Sequence, residues 1–230
     1  MTKYLVVNAD DFGASHGINR GILEAHRRGI LTSTSLLVNM LWSEEAVDAS
    51  RAAPELSVGL HVDLGQALAE STAGSASGLG EVLREQLSRF ERLMGRPPTH
   101  LDSHHNVHRD PGRLPHFLAV AAEHGLPLRD HSAVRYFSKF YGQWGGEAHP
   151  EQISVESLAR MLEMEIQEGV TELSCHPGYL DPNYRTGYAA EREIELRTLC
   201  DPRVREVLAE QSIRLISYHD VARLPLSAGT

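Results

Sequence analysis

Short apolar runs and amphipathic stretches alternate along this chain almost without interruption. The run Lys3-Tyr4-Leu5-Val6-Val7-Asn8 is continuous and β-branched, the pattern of a buried strand. A helix is predicted over residues 16–28, stopped at Gly29, and residues 31–39 read as a second strand. Ser43 then reads as the cap of a helix to about residue 53, and residues 57–64 as a third strand. Residues 66–80, rich in small side chains, read as a loop. Residues 81–94 place Val82, Leu83, Leu87, Phe90 and Leu93 near helical spacing, and Gly95 with Pro97-Pro98 ends that helix. A short strand (99–103), a helix (114–123, ended by Gly125) and another short strand (126–129) follow. Residues 130–150 are irregular and hold Tyr136, Phe137, Phe140, Tyr141 and Trp144. Beyond them come a helix from Ser154, a strand over 170–175, a loop to residue 188, helical sequence to residue 211 and a last strand over 213–217. Asp201-Pro202 interrupts the helical part as an N-cap and first-turn pair.

About seven strand–helix units without hairpin signals predict an α/β fold with a parallel sheet. Candidate chemical groups stand at the C-terminal ends of strands one, three, four, five and six. An open doubly wound sheet concentrates its chemistry at one switch point, whereas a closed or nearly closed TIM-like barrel brings all strand ends around one mouth. The barrel is the expectation.

Composition narrows the function. At 230 residues and 41% hydrophobic content, the chain suits a single domain over residues 1–230 with a sizeable core. A net charge of −9 offers no basic stripe to nucleic acid or to an anionic membrane surface. No apolar stretch approaches the roughly 20 residues of a membrane span. Two cysteines, Cys175 and Cys200, are too few for a disulfide framework, and the N-terminus leaves no room for a signal-peptide apolar region. A cytoplasmic protein is expected, with a homodimer as the default assembly.

The chemistry gathers at strand ends. Asp10 and Asp11 follow the first apolar run, ahead of a turn at Phe12-Gly13. Adjacent acids are costly to bury, so a solvated turn pair is the bland reading. The third strand carries His61, the fourth ends Asp102-Ser103-His104-His105-Asn106-Val107-His108, and the sixth ends Cys175-His176-Pro177-Gly178. Each histidine alone reads as structural or solvated; their joint placement at one mouth does not. Asp11, His61 and His104 would form an open site for one divalent metal ion, Mg2+ or Zn2+. Asp10 would be the base that takes a proton from water, and His176 the acid for a departing amine. Arg129 reads as a partner that keeps Asp10 ionised or, equally, as an exposed salt bridge. His105, Tyr136 and Arg185 are candidates for substrate binding, although the aromatics of residues 136–144 suit plain packing as well. Cys175 and Ser103 read as packed and turn residues.

The segments Val7-Asn8-Ala9-Asp10-Asp11-Phe12-Gly13, Gly59-Leu60-His61, His100-Leu101-Asp102-Ser103-His104-His105 with Val107-His108, and Cys175-His176-Pro177-Gly178 resemble the YdjC-like carbohydrate deacetylases, the chitooligosaccharide deacetylase-like group. The resemblance runs from Tyr4 to about Val221 in the right order. It implies a distorted (β/α) barrel that removes N-acetyl groups from small acetylated sugars with a magnesium- or zinc-type metal. It places ligands on Asp11, His61 and His104 and acid–base roles on Asp10 and His176. Two departures bear on the substrate: Asn106 stands where a third consecutive histidine is common, and residues 66–80 form a short, bland segment. A two-metal phosphoesterase, with His105, His108 and Asp102 toward a second ion, and a non-catalytic sugar binder are the competing readings.

Overall fold

The computed structural model describes residues 2–65 and 76–224. Its elements are β1 (Lys3–Phe12), α1 (His16–Arg28), β2 (Ser33–Leu36), α2 (Ser43–Arg51), β3 (Ser57–Val62), α3 (Ala76–Met94), β4 (Leu101–Ser103), α4 (Leu114–His124), β5 (Arg135–Phe137), β6 (Gln143–Trp144), β7 (Glu147–Ala148), α5 (Val155–Met164), β8 (Gly169–Cys175), α6 (Ala190–Cys200), α7 (Pro202–Glu210), β9 (Ile213–Leu215) and α8 (Tyr218–Val221). Short 3-10 segments, His104–Arg109 and Pro150–Ile153, follow β4 and β7, the first broken by left-handed His105 and Asn106.

The seven-stranded main sheet runs β4-β3-β2-β1-β8-β5, with β9 on the first residues of β1, and every pairing in it is parallel. It is a curled α/β half-barrel, the distorted TIM-like barrel expected from the sequence. Alternation along β1 explains the curl's two faces. Leu5, Val7 and Ala9 join the main core beneath the helices, while Val6 lies in a smaller cluster with Val134, Val170, Tyr218 and Val221. The positions that follow on Val6's face are polar and buried: Asn8 and Asp10 on β1, Ser35 on β2, His61 on β3, Asp102 on β4, and Glu172 and Ser174 on β8. The barrel interior is therefore a polar column that begins on an apolar plug and ends at the strands' C-terminal mouth.

Two glycines allow close approaches around this column. A Cβ at Gly59 would lie 2.3 Å from the His100 ring, which occupies that space. A Cβ at Gly21 on α1 would lie 2.5 Å from the Cα of Gly178, so the loop after His176 sits directly on the helix.

Several local expectations change. β1 continues to Phe12, so the two acids lie on the strand rather than in a turn beyond it. Ser43 is the first residue of α2, not its cap; its hydroxyl donates to the carbonyls of Leu37 and Met40. The strand expected over residues 126–129 is a single bridge, Leu101 to Leu128, because its backbone turns away after Arg129; the strand at that edge of β8 is β5, in the segment read as irregular. β6 and β7 form an antiparallel hairpin on Gly145-Gly146, whose φ angles of 63° and 83° suit the tight turn that the Gly-Gly pair signals. Of the loop expected over residues 66–80, residues 66–75 lie outside the described ones, and the chain is helical from Ala76. Among the described residues no helix is long and apolar enough to cross a membrane.

Candidate active site

A β-bulge makes the site. Ala9 pairs with Thr34 and Phe12 with Leu36, so Asp10 and Asp11 together oppose the single residue Ser35. Asp11 takes the left-handed conformation, φ 70°, which a non-glycine residue holds only where its surroundings enforce it. Strict alternation would send neighbouring carboxylates to opposite faces; here both line one cleft of about 640 Å³ at the strands' C-terminal mouth. His61, His104, His105, Tyr136, His176 and Arg185 line the same cleft. Arg129, the remaining predicted residue, lies buried beneath it.

Asp11, His61 and His104 converge. Asp11 Oδ1 lies 3.5 Å from His61 Nε2 and 3.1 Å from His104 Nδ1. This oxygen is buried without a well-aligned hydrogen-bond donor. The other ring nitrogen of His61, Nδ1, lies 2.7 Å from Asp102 Oδ1, an outer carboxylate that leaves Nε2 free to ligate. An orphaned carboxylate oxygen facing two ring nitrogens fits a cation, so the three residues suit a metal. His105 turns at φ 54° and sets its exposed ring 3.9 Å from that of His104, outside the convergence. His108 is also outside it, buried with Nδ1 2.6 Å from Ser103 Oγ.

Asp10 is held differently. Arg129 donates from both terminal nitrogens, to Oδ2 at 2.8 Å and Oδ1 at 2.7 Å, and Asn8 adds a bond to Oδ1 at 3.0 Å. The guanidinium also reaches Asp102 on β4 at 2.7 Å and Glu172 on β8 at 2.8 Å, linking two strands that are not neighbours in the sheet. Burial would raise the Asp10 carboxyl, but the Arg129 charge and its hydrogen bonds outweigh it and hold Asp10 below the usual range. Burial would raise Asp11 as well, but the Arg192 charge and the two imidazoles beside it outweigh it and hold the carboxyl well below that range. For His61 burial is outweighed by Asp102 and Asp10, which raise the ring to about 10.

His176 faces the acids from the end of β8, with Nε2 3.9 Å from Asp10 Oδ2. Burial draws it down to about 4 despite the attraction of Asp10 and Asp11. Behind it lies Glu195, with Oε1 3.9 Å from Nδ1 and Oε2 accepting the backbone N–H of His176. Glu195 is wholly buried and pushed up to about 8 by that burial, even though Tyr188 donates to it at 2.5 Å.

Of the remaining predicted residues, Tyr136 bonds Ser174 Oγ at 3.1 Å and lies over the Arg129 guanidinium at 5.0 Å. Arg185 lines the cleft without an ion pair among the described residues. Tyr141 and Tyr188 stack in parallel at 4.6 Å beside His176. Phe137 and Phe140 belong to the core, and Trp144 stacks on His149 away from the cleft lining. Sequence reasoning missed Arg192 and Glu195. Their signal was α6 itself, which carries charges at Glu191, Arg192 and Glu195, on the face shared with buried Leu196 and Leu199.

The sequence profile of the YdjC-like protein family matches residues 4–210. The chain belongs to the YdjC-like family. Within it, chitooligosaccharide deacetylases of Yersinia pestis (strain Pestoides F) and Yersinia pseudotuberculosis (serotype O:1b, strain IP 31758) are 34% identical over 260 residues, covering 96% of this chain and 100% of theirs. Among solved structures, a proposed cellobiose-phosphate cleavage protein from Enterococcus faecalis V583 superposes with a TM-score of 0.82 at 29% identity, covering 96% of this chain and 99% of that one. The YdjC-like fold extends to a family 4 carbohydrate esterase from Streptomyces lividans, with a TM-score of 0.60 at 12% identity over 93% of this chain and 91% of the other. At that identity the likeness is one of fold.

Proposed function

We propose that this chain is a metal-dependent carbohydrate N-deacetylase that hydrolyses the acetamide of small N-acetylated amino sugars. One observation carries the reading: Asp11, His61 and His104 converge beside a base held by a guanidinium, with an imidazole facing that base across the cleft. The chitooligosaccharide deacetylases among the relatives support the substrate class. A divalent ion held by the three ligands supplies Lewis acidity, lowering the pKa of water and polarising the acyl oxygen. Two imidazoles and one carboxylate favour zinc or a similar ion over magnesium, which prefers an all-oxygen shell.

The chain's own residues do the rest. Asp10, kept ionised by Arg129, accepts the proton of the attacking water. His176 gives a proton from Nε2 to the departing nitrogen, without which an amine is a poor leaving group. Its ring is neutral at rest, and buried Glu195, pushed up to about 8 and so largely protonated at neutral pH, stands 3.9 Å behind Nδ1, a gap that closes when it replaces the proton the ring gives up. Tyr136, Tyr141, Tyr184 and Tyr188 line a cleft of small-ligand size and give a sugar aromatic walls. Free Cys175 and Cys200 support a reducing compartment, and the cytoplasm is the one proposed.

A two-metal phosphoesterase is disfavoured on a specific ground. The second cluster of ligating groups, Asp10, His61 and Asp102, shares His61 with the first, and Arg129 already places its positive charge on both of the acids. The test is acetate release from di-N-acetylchitobiose alongside turnover of a generic phosphoester. Acetate release that chelation abolishes and zinc restores is expected; phosphoester turnover without acetate release overturns the proposal.

A further inference from the structure

Arg192 has no part in the proton transfers above, yet it touches both halves of the site. It lies on α6, 5% exposed, with one terminal nitrogen 2.5 Å from Asp11 Oδ2 and the other 3.4 Å from the backbone carbonyl of His176. Its own carbonyl accepts the N–H of Gly178 at 3.1 Å, which ties α6 to the loop after β8. The two oxygens of Asp11 therefore have unlike surroundings: Oδ2 meets a guanidinium, whereas Oδ1 faces the imidazoles of His61 and His104.

We propose that Arg192 is a positioning residue of the metal site, committing Oδ2 of Asp11 to the guanidinium so that Oδ1 alone is presented to the ion. The inference rests on the ligand set proposed above. A carboxylate's terminal torsion is broad and roughly two-fold, so packing alone does not choose between presenting one oxygen and presenting both. The guanidinium makes that choice. The planar fork matters, because it reaches Asp11 and the His176 carbonyl at once; an ammonium on a flexible stem is a single point charge. Arg129 and Arg192 thus divide the adjacent acids between them, one keeping a base available and the other restricting a ligand.

The test uses the full chain, stripped with chelator and titrated with Co2+, whose visible absorption reports coordination number and geometry. Wild type and Asp11→Asn come first. If Asp11→Asn binds Co2+ as wild type does, the ligand reading itself fails. If it loses the ion, Arg192→Gln and Arg192→Lys test the inference. Arg192→Gln is expected to bind Co2+ roughly 10–100-fold more weakly, the usual cost of losing an outer-shell partner, with a changed visible spectrum and a native far-UV circular dichroism spectrum. Arg192→Lys is expected to fall between Arg192→Gln and wild type, also with a changed spectrum, and it carries the test alone if Arg192→Gln does not fold. A spectrum superimposable on wild type, or binding as tight as or tighter than wild type, overturns the inference while leaving the ligand set standing.

Discussion

Nδ1 of His61 lies 2.7 Å from Asp102 Oδ1, and that contact decides which ring nitrogen can face Asp11. Asp102 is itself fixed by Ser35 at 2.6 Å and by Arg129 at 2.7 Å, so its position is set by the barrel interior. Asp102→Asn removes the charge that orients and polarises the ring. Zinc affinity, measured by competition with a chromophoric chelator, is expected to fall roughly 10–100-fold. Unchanged affinity would remove Asp102 from the account of the metal site.

The same pairing sets a pH dependence. With Asp102 and Asp10 raising His61 to about 10, the imidazole of the metal-free chain is protonated at neutral pH. Binding an ion at Nε2 must expel a proton, so apparent affinity should rise with pH up to about 10 and fall as pH drops, about tenfold per pH unit for one proton. Calorimetry in buffers of different ionisation enthalpy should register proton release at pH 7. No release would mean that His61 is not a ligand.

His176 and Glu195 act as a pair in this account. An activated acetyl ester has a good leaving group and needs little acid assistance, whereas an acetamide needs it fully. His176→Ala and Glu195→Gln should therefore reduce amide turnover by on the order of 10²–10⁴ and ester turnover much less, with metal content unchanged. Equal losses on both substrates would assign the pair to substrate positioning.

Among the described residues, Arg129 is the one guanidinium on three buried carboxylates, Asp10, Asp102 and Glu172. Arg129→Met keeps the volume and leaves those charges uncompensated, so denaturant unfolding should show a loss of about 3–5 kcal/mol. A smaller loss would indicate that protonation of Glu172, already raised by its burial, relieves the repulsion.

The fold was legible because its signals are local. Apolar runs, helix stops at Gly29 and Gly125, and the cap at Asp201-Pro202 each depend on a few neighbouring residues. Every predicted site residue lies in the cleft or directly beneath it, because parallel strands deliver their C-terminal ends to one mouth. What the sequence hid depends on long-range contacts. Nothing in Asp10-Asp11 announces a bulge, which register with β2 imposes. Arg192 and Glu195 lie on α6, whose charged face reads as solvated until the helix is docked on the barrel mouth. The short pairing of β5 with β8 has no apolar run to reveal it, only the aromatics Tyr136 and Phe137 beside Arg135.

In the proposed mechanism two adjacent acids divide the labour, Asp11 holding the metal and Asp10 taking the proton. Zinc content per chain and acetate release from di-N-acetylchitobiose, measured on Asp10→Asn and Asp11→Asn beside wild type, test it directly. Asp11→Asn should lose zinc and turnover together, while Asp10→Asn should retain zinc and lose turnover by on the order of 10²–10⁴. Equal zinc loss in both variants, or an Asp10→Asn variant that turns over like wild type, would contradict it.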